Sequence, residues 1–223
     1  MDVTSTALVI AGLKYVGQPA AQVVGRLVER VLGPVMDTAG EALDAWVRGR
    51  HQRGVGILMD SARMLGDAQL EPQPVPGRIL FPLMQHASLE EDDGFQAKWA
   101  ALLANAASPG FENMVLPAYA EILRQLVPAQ VRILDHMDQQ RYRLGDTDVW
   151  MRVEREDVMS LFGLDRAEYT LLVCDLDRLQ LIDARRLSFE ELGQNREDLY
   201  GCIRPTALCL GFFRAVTPPA KKG

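Results

Sequence analysis

The chain has 223 residues, 48% hydrophobic and 24% charged, with 24 Lys plus Arg against 30 Asp plus Glu for a formal net charge of −6. That length supports a sizeable core in one medium domain, or in a small domain with an appendage, and the composition excludes bulk disorder, collagen-like repeats and a disulfide scaffold. The acidic balance disfavours broad binding along a phosphate backbone.

Cys174, Cys202 and Cys209 form no C-x-x-C pair, and His51, His86 and His136 are scattered. Neither a structural zinc site nor a disulfide framework is expected; free thiols in a reducing cytoplasm are the simple reading. Through Ala87, eight basic residues balance eight acidic ones, so the remainder carries the whole acidic excess. Asp2 stands where a secretory signal needs a basic start, and no signal peptide is expected. A spanning helix needs roughly 20 apolar residues. Only eleven uncharged residues separate Lys14 from Arg26, among them Gln18, Pro19 and Gln22, so no membrane span is expected.

From Thr4 to about Val47 the chain is rich in Ala, Val, Leu and Gly. Lys14, Gln18, Gln22, Arg26 and Arg30 recur every four residues, which on a helix draws a narrow polar stripe beside a wide apolar face. Pro19 suits a helix start, and Gly33-Pro34 marks a break before a second segment reaching about Trp46. Ala21 and Gly25 form a small-xxx-small pair that lets helices approach closely. Three roles fit: a helical hairpin packed on the rest of the protein, a surface for partner docking or self-association, and an amphipathic helix in a membrane interface. With three cations and no large anchoring aromatic apart from Tyr15, membrane attachment would be weak. The candidate interaction residues are therefore Lys14, Gln18, Ala21, Gln22, Gly25, Arg26 and Arg30. A basic turn, Arg48 to Arg53, precedes a short helix predicted from about Val55 to Leu70, which closes an amino-terminal segment at 1–70.

The stretch Glu71-Pro-Gln-Pro-Val-Pro-Gly77 cannot be helical and reads as an extended connector. In the central part, 71–127, Ser88 with Glu91 has the spacing of a capping box, and Glu90 to Asp93 places negative charge at a helix's positive end. Phe95, Trp99, Leu102, Leu103 and Ala106 fall on one buried stripe, which Ser108-Pro-Gly110 ends. Val115, Tyr119, Ile122, Leu123 and Leu126 repeat the spacing, so the two helices are expected to pack antiparallel. The Glu90–Asp93 run with His86 one turn upstream is tempting as a metal cluster. Helix-start charge explains it, since a hard cation would need ligands converging from elsewhere.

The order Pro76-Gly-Arg-Ile-Leu-Phe-Pro-Leu-Met84, Ala87-Ser-Leu-Glu-Glu-Asp-Asp93, Trp99-Ala-Ala-Leu-Leu-Ala-Asn105, Ala120-Glu-Ile-Leu-Arg-Gln-Leu126 resembles the Abi-alpha (abortive infection alpha) family. Gly17-Gln-Pro-Ala-Ala-Gln-Val-Val-Gly25 is similar to that family's opening. The resemblance covers roughly Gly12 to Leu134. It implies a role in bacterial defence against phage by abortive infection and brings no catalytic residues with it.

Pro128 suits the first position of a helix with Val131, Leu134 and Met137 spaced for burial. A polar loop holding Arg141 to Asp146 follows, then a short helix from about Arg155 to Phe162, stopped by Gly163. Asp165 and Glu168 form a second capping box, opening a helix with Tyr169, Leu172, Val173, Leu176 and Leu179 inward. Leu181 to Leu187 and Leu199 to Arg204 alternate as two strands about a loop near Gly193 to Asn195, and Pro205 to Val216 returns as a helix. Residues 128–216 thus read as a winged-helix-like module, with a loose tail at 217–223. Its candidate recognition helix carries Asp165, Glu168, Asp175 and Asp177 against Arg166 and Arg178, the reverse of what a phosphate backbone attracts. Arg141, Arg143, Arg185 and Arg186 read as solvated surface. Nucleic acid is therefore not an expected partner, and the module reads as a protein-interaction or scaffolding unit.

Ser160 and Ser188 have no nearby His, and neither a nucleophile elbow nor a phosphate-binding loop occurs. Asp175 and Asp177 fall on different faces of a helix. All three cysteines are expected to be buried as small hydrophobes. The predicted fold class is mainly α: a helical bundle followed by a winged-helix-like module with a small β-hairpin. The expected function is that of a non-enzymatic component of an anti-phage abortive-infection system, acting through helical protein–protein contacts without cofactor or metal. A cytoplasmic location is expected, with peripheral attachment at the inner membrane as the other placement the stripe allows. A membrane-associating effector and a winged-helix DNA-binding regulator are the alternatives.

Overall fold

The computed structural model describes residues 26–32, 51–110, 115–143, 153–183 and 200–220. Lys14, Gln18, Ala21, Gln22, Gly25 and the helical segment expected after Gly33-Pro34 lie outside the described residues, as do the expected strand residues 184–187. The molecule is mainly helical, with a small three-stranded antiparallel sheet near the C-terminus. The chain divides into two compact units, Met1–Arg124 with Arg214–Gly223, and Gln125–Phe213.

The first unit is organised around one helix. A helical turn over Val28–Leu32 is followed by α1 (His51–Asp67), α2 (Gly77–Ala87), α3 (Asp93–Ala106) and α4 (Ala118–Gln125), whose last residue opens the second unit. Residues 71–76 form the expected non-helical connector. In α3 the predicted stripe is buried, but so are Ala100, Ala101, Ala104 and Asn105. A helix apolar on every side must be surrounded. Its principal partner is α1, with α2 also against it; the antiparallel pairing with α4 expected from matching stripes is not its main packing. The small Ala100 side chain explains the closeness of α1. It lets the buried Ser61 hydroxyl of α1 reach across to the Ala100 carbonyl at 2.9 Å while also lying 2.7 Å from the Ile57 carbonyl.

The start of α3 differs from the expected capping box. Ser88 is the C-terminal cap of α2, with helical backbone angles (φ −69°, ψ −15°), its N–H bonding Met84 O and its hydroxyl donating to Gln85 O. A residue still in the helical region cannot begin the next helix. Asp92, extended at φ −82° and ψ 126°, takes that place and accepts from the Phe95 N–H at 3.0 Å.

The second unit contains α5 (Pro128–Arg143), β1 (Val153–Glu154), α6 (Arg155–Phe162), α7 (Arg166–Arg178), β2 (Ile182–Asp183), β3 (Cys202–Pro205) and most of α8 (Ala207–Val216). Pro128 opens α5 as expected, and the Gln130 side chain accepts from the Val127 N–H at 2.9 Å, half of a capping box. Gly163 ends α6 at φ 64°, and Asp165 and Glu168 cap α7 reciprocally at 2.8 and 2.9 Å. The sheet runs β1-β3-β2, all antiparallel, so the expected two-stranded hairpin has a third member. β1 pairs Val153 with Ile203, and β2 pairs Ile182 with Pro205. Two residues are too few to show the alternation that identifies a strand in sequence. Thr206 caps α8: its N–H bonds Leu181 O, and its hydroxyl accepts from the Cys209 N–H at 3.1 Å.

Candidate functional site

Two of the predicted interaction residues are described, and both make contacts within the same chain. Arg26 and Arg30 are exposed while Leu27 and Val31, each one residue further on, are fully buried, as a polar stripe over an apolar face requires. Arg26 donates to Glu71 Oε1 at 2.8 Å. Arg30 reaches Glu71 Oε2 at 3.4 Å and the Pro72 carbonyl at 3.3 Å. The two guanidinium groups thus hold the start of the proline-rich connector. The pairs are about half exposed, so each contributes little, on the order of 0–1 kcal/mol.

Large apolar side chains are exposed at Phe81, Leu89, Leu116, Val127 and Leu161, and most of all at Leu171 on the outward face of α7. The inward row is Tyr169, Val173 and Leu176, all fully buried, with Leu172 only partly covered. Rotation by roughly half a turn brings Ala167, Leu171 and Cys174 into one exposed row at i, i+4 and i+7. Leu171 is 72% exposed, and Leu161 at the end of α6 is 57% exposed. Cys174 is exposed, contrary to the expected burial of all three thiols, whereas Cys202 and Cys209 are buried. Apolar neighbours in sequence gave Cys174 the look of a core residue; its position one step past Val173 turns it to solvent.

The charges bordering that row are held in fold contacts. Arg178 Nε donates to Asp175 Oδ1 at 2.7 Å, and Gln130 Nε2 donates to Asp175 Oδ2 at 2.9 Å. The Gln130 hydrogen bond first, then Arg178, holds the Asp175 carboxyl below the usual range. Asp177, one face round, is buried, so the two carboxylates do not act as a pair. Tyr169 donates to the Tyr200 carbonyl at 2.9 Å, and burial pushes its phenol above the ordinary range. Phe162 lies under the Arg132 guanidinium at 5.7 Å and meets His136 edge-on at 6.1 Å, which accounts for that histidine as packing.

In the first unit the acidic run serves the helix start. Glu90 Oε1 accepts from the N–H groups of Glu91 and Asp92 at 2.9 and 3.0 Å. His86 faces elsewhere: its Nε2 lies 3.3 Å from Glu121 Oε1, and its ring centroid 6.4 Å from that of Trp99. The Arg124 hydrogen bond holds the Glu121 carboxyl below its usual range, with His86 acting in the same direction. Among the described residues no group of three or more His, Cys, Asp or Glu side chains could hold a metal ion, and no helix is long and apolar enough to cross a membrane. A shallow groove of about 320 Å³ runs between α1 and the tail, lined by Arg63, Met64, Asp67, Ala68, Pro218 and Pro219.

Sequence reasoning missed Leu161, Leu171 and Cys174. The signal for the α7 row was present: once 169, 173 and 176 are placed inward, 167, 171 and 174 must face out. No curated protein and no solved structure matches the chain. The family model described as abortive infection alpha matches residues 59–216. The match begins after the Gly17–Gly25 block and runs through the whole second unit, so it starts later and extends further than the Gly12 to Leu134 span of the resemblance. With more than half of its length inside that match, the chain belongs to the abortive infection alpha family.

Proposed function

We propose that this chain is a non-enzymatic component of a bacterial anti-phage abortive-infection system that acts through protein contacts. The observation that carries this reading is the open apolar row of α7, with Leu171 72% exposed, on a member of the abortive infection alpha family. A leucine left 72% exposed between two small apolar side chains is a surface that a partner can cover. The groups with displaced pKa values support it further, because the fold accounts for each: burial for Tyr169, the bonds from Gln130 and Arg178 for Asp175, and the Arg124 bond for Glu121.

The second unit's order of helix, strand, helix, helix, strand, strand favours a winged-helix-like reading. In that arrangement α7 would be the groove-reading helix, and its acidic residues would repel phosphate, so the same topology is read here as a protein-docking module. Expression of the full chain under phage challenge, scoring growth and membrane integrity together, tests the proposal. The unaltered chain is expected to protect the culture and Leu171→Lys to protect poorly, with its unfolding midpoint unchanged. Full protection by Leu171→Lys would count against contact through this face.

A further inference from the structure

We infer that the outward face of α7, with the adjoining α6, docks a cationic amphipathic helix of a protein partner; this rests on the protein-contact reading above and names the partner's chemistry. The apolar part is the row Ala167, Leu171 and Cys174, where small side chains on either side of Leu171 leave room for close approach. The charge is one-sided. From Glu154 to Arg178, through both helices, seven carboxylates stand against three guanidinium groups. The pairs Arg155–Glu156 at 2.8 Å and Arg178–Asp175 at 2.7 Å cancel and Asp177 is buried, which leaves four exposed carboxylates, Glu154, Asp157, Asp165 and Glu168, against Arg166. α6 and α7 pack against each other within the second unit.

This charge pattern selects among occupants. A second copy offering the same face would set carboxylate against carboxylate, and a nucleic acid would bring phosphates to an acidic rim. A helix with a leucine stripe flanked by lysines satisfies both parts: its stripe covers Leu171 and its cations meet the rim.

The test uses the full chain and a synthetic amphipathic helix of leucine and lysine, with its glutamate-for-lysine counterpart and a DNA duplex as comparators. Fluorescence anisotropy is expected to show binding of the lysine helix, weakening as salt rises because the charges are exposed. Leu171→Lys is expected to weaken it roughly tenfold, the equivalent of losing part of one leucine's burial. Cys174 offers an independent readout on the same row, since Cys202 and Cys209 are 2% and 0% exposed. Its alkylation should slow when the lysine helix is bound. Equal binding of the glutamate helix, indifference to Leu171→Lys, or protection of Cys174 by DNA instead would overturn the inference. If the lysine helix fails to bind while Leu171→Lys still abolishes phage protection, the cationic partner falls and the contact reading stands. If Leu171→Lys keeps full protection, the contact reading itself falls.

Discussion

Tyr169 and Gln130 show how single polar atoms hold the second unit in place. The Tyr169 side chain is fully buried, and its hydroxyl bonds the Tyr200 carbonyl that leads into β3. Tyr169→Phe removes this hydrogen bond, at a cost of about 1–2 kcal/mol. A pH dependence follows from the same geometry. The folded phenol's pKa lies above its ordinary value of 10.0, so the neutral form is favoured in the folded state. Its contribution is present below pH 10 and is lost as pH rises beyond it, because the unfolded chain then releases a proton that the folded one keeps. Chemical denaturation across that range should show stability falling with pH for the native chain and a shallower fall for Tyr169→Phe. Asp175 behaves oppositely. Its carboxyl pKa is depressed, first by Gln130, so its contribution is present above the ordinary carboxylate pKa and is lost as pH falls through the lower folded value. Gln130 is buried, donates to Leu172 O as well as Asp175, and accepts from Val127. Removing it as Gln130→Ala is expected to cost about 2–3 kcal/mol and to return the Asp175 carboxyl towards its usual range, measurable by carbon NMR of the carboxylates.

At the scale of elements, helix ends separate what the sequence states openly from what it hides. The Asp165–Glu168 box and the Gly163 stop are local: four residues carry the whole message, and the structure has both. The start of α3 is hidden because Ser88 and Asp92 are both good caps, and the choice depends on how far α2 continues. β1 is two residues held by pairing to β3 some fifty positions away, so nothing within it announces a strand. Two substitutions test the helix-end reading in opposite directions. Gly163 sits at φ 64° with no neighbour within 4 Å of an added Cβ, so Gly163→Ala meets only backbone strain and should cost about 1 kcal/mol. Gln69, just past α1, takes φ 58°, and the Leu70 N–H bonds Leu65 O in the manner of a helix end that prefers glycine. Gln69→Gly should therefore stabilise by roughly 0.5 kcal/mol, after allowance for glycine's freedom in the unfolded chain. Thermal melts of the two variants should move to either side of the native midpoint.

For the molecule as a whole, the apolar run Trp99 to Asn105 marks a buried helix, but only the structure explains why it ends in asparagine. Periodicity sorts residues into faces; it says nothing of which distant backbone needs a donor. The Asn105 side chain, 2% exposed, aims its Nδ2 at Arg214 O, Ala215 O and Thr217 O, at 3.1, 2.8 and 2.7 Å. Those carbonyls belong to the last turn of α8 and the residue after it, which have no helical partner of their own. The first unit is discontinuous in sequence, and one carboxamide on its central helix fastens its returning strand of chain. Asn105→Ala removes the donor and opens a small gap, and is expected to cost about 2–3 kcal/mol. Asn105→Asp is the sharper variant. It keeps the shape but turns an oxygen towards three oxygens, so it should destabilise at least as much, and least at low pH, where a protonated carboxyl can donate one bond. Limited proteolysis gives the readout: both variants should be cut faster after Arg214, and equal protection of Asn105→Asp and the native chain would show that packing, not the amide donor, holds the end in place.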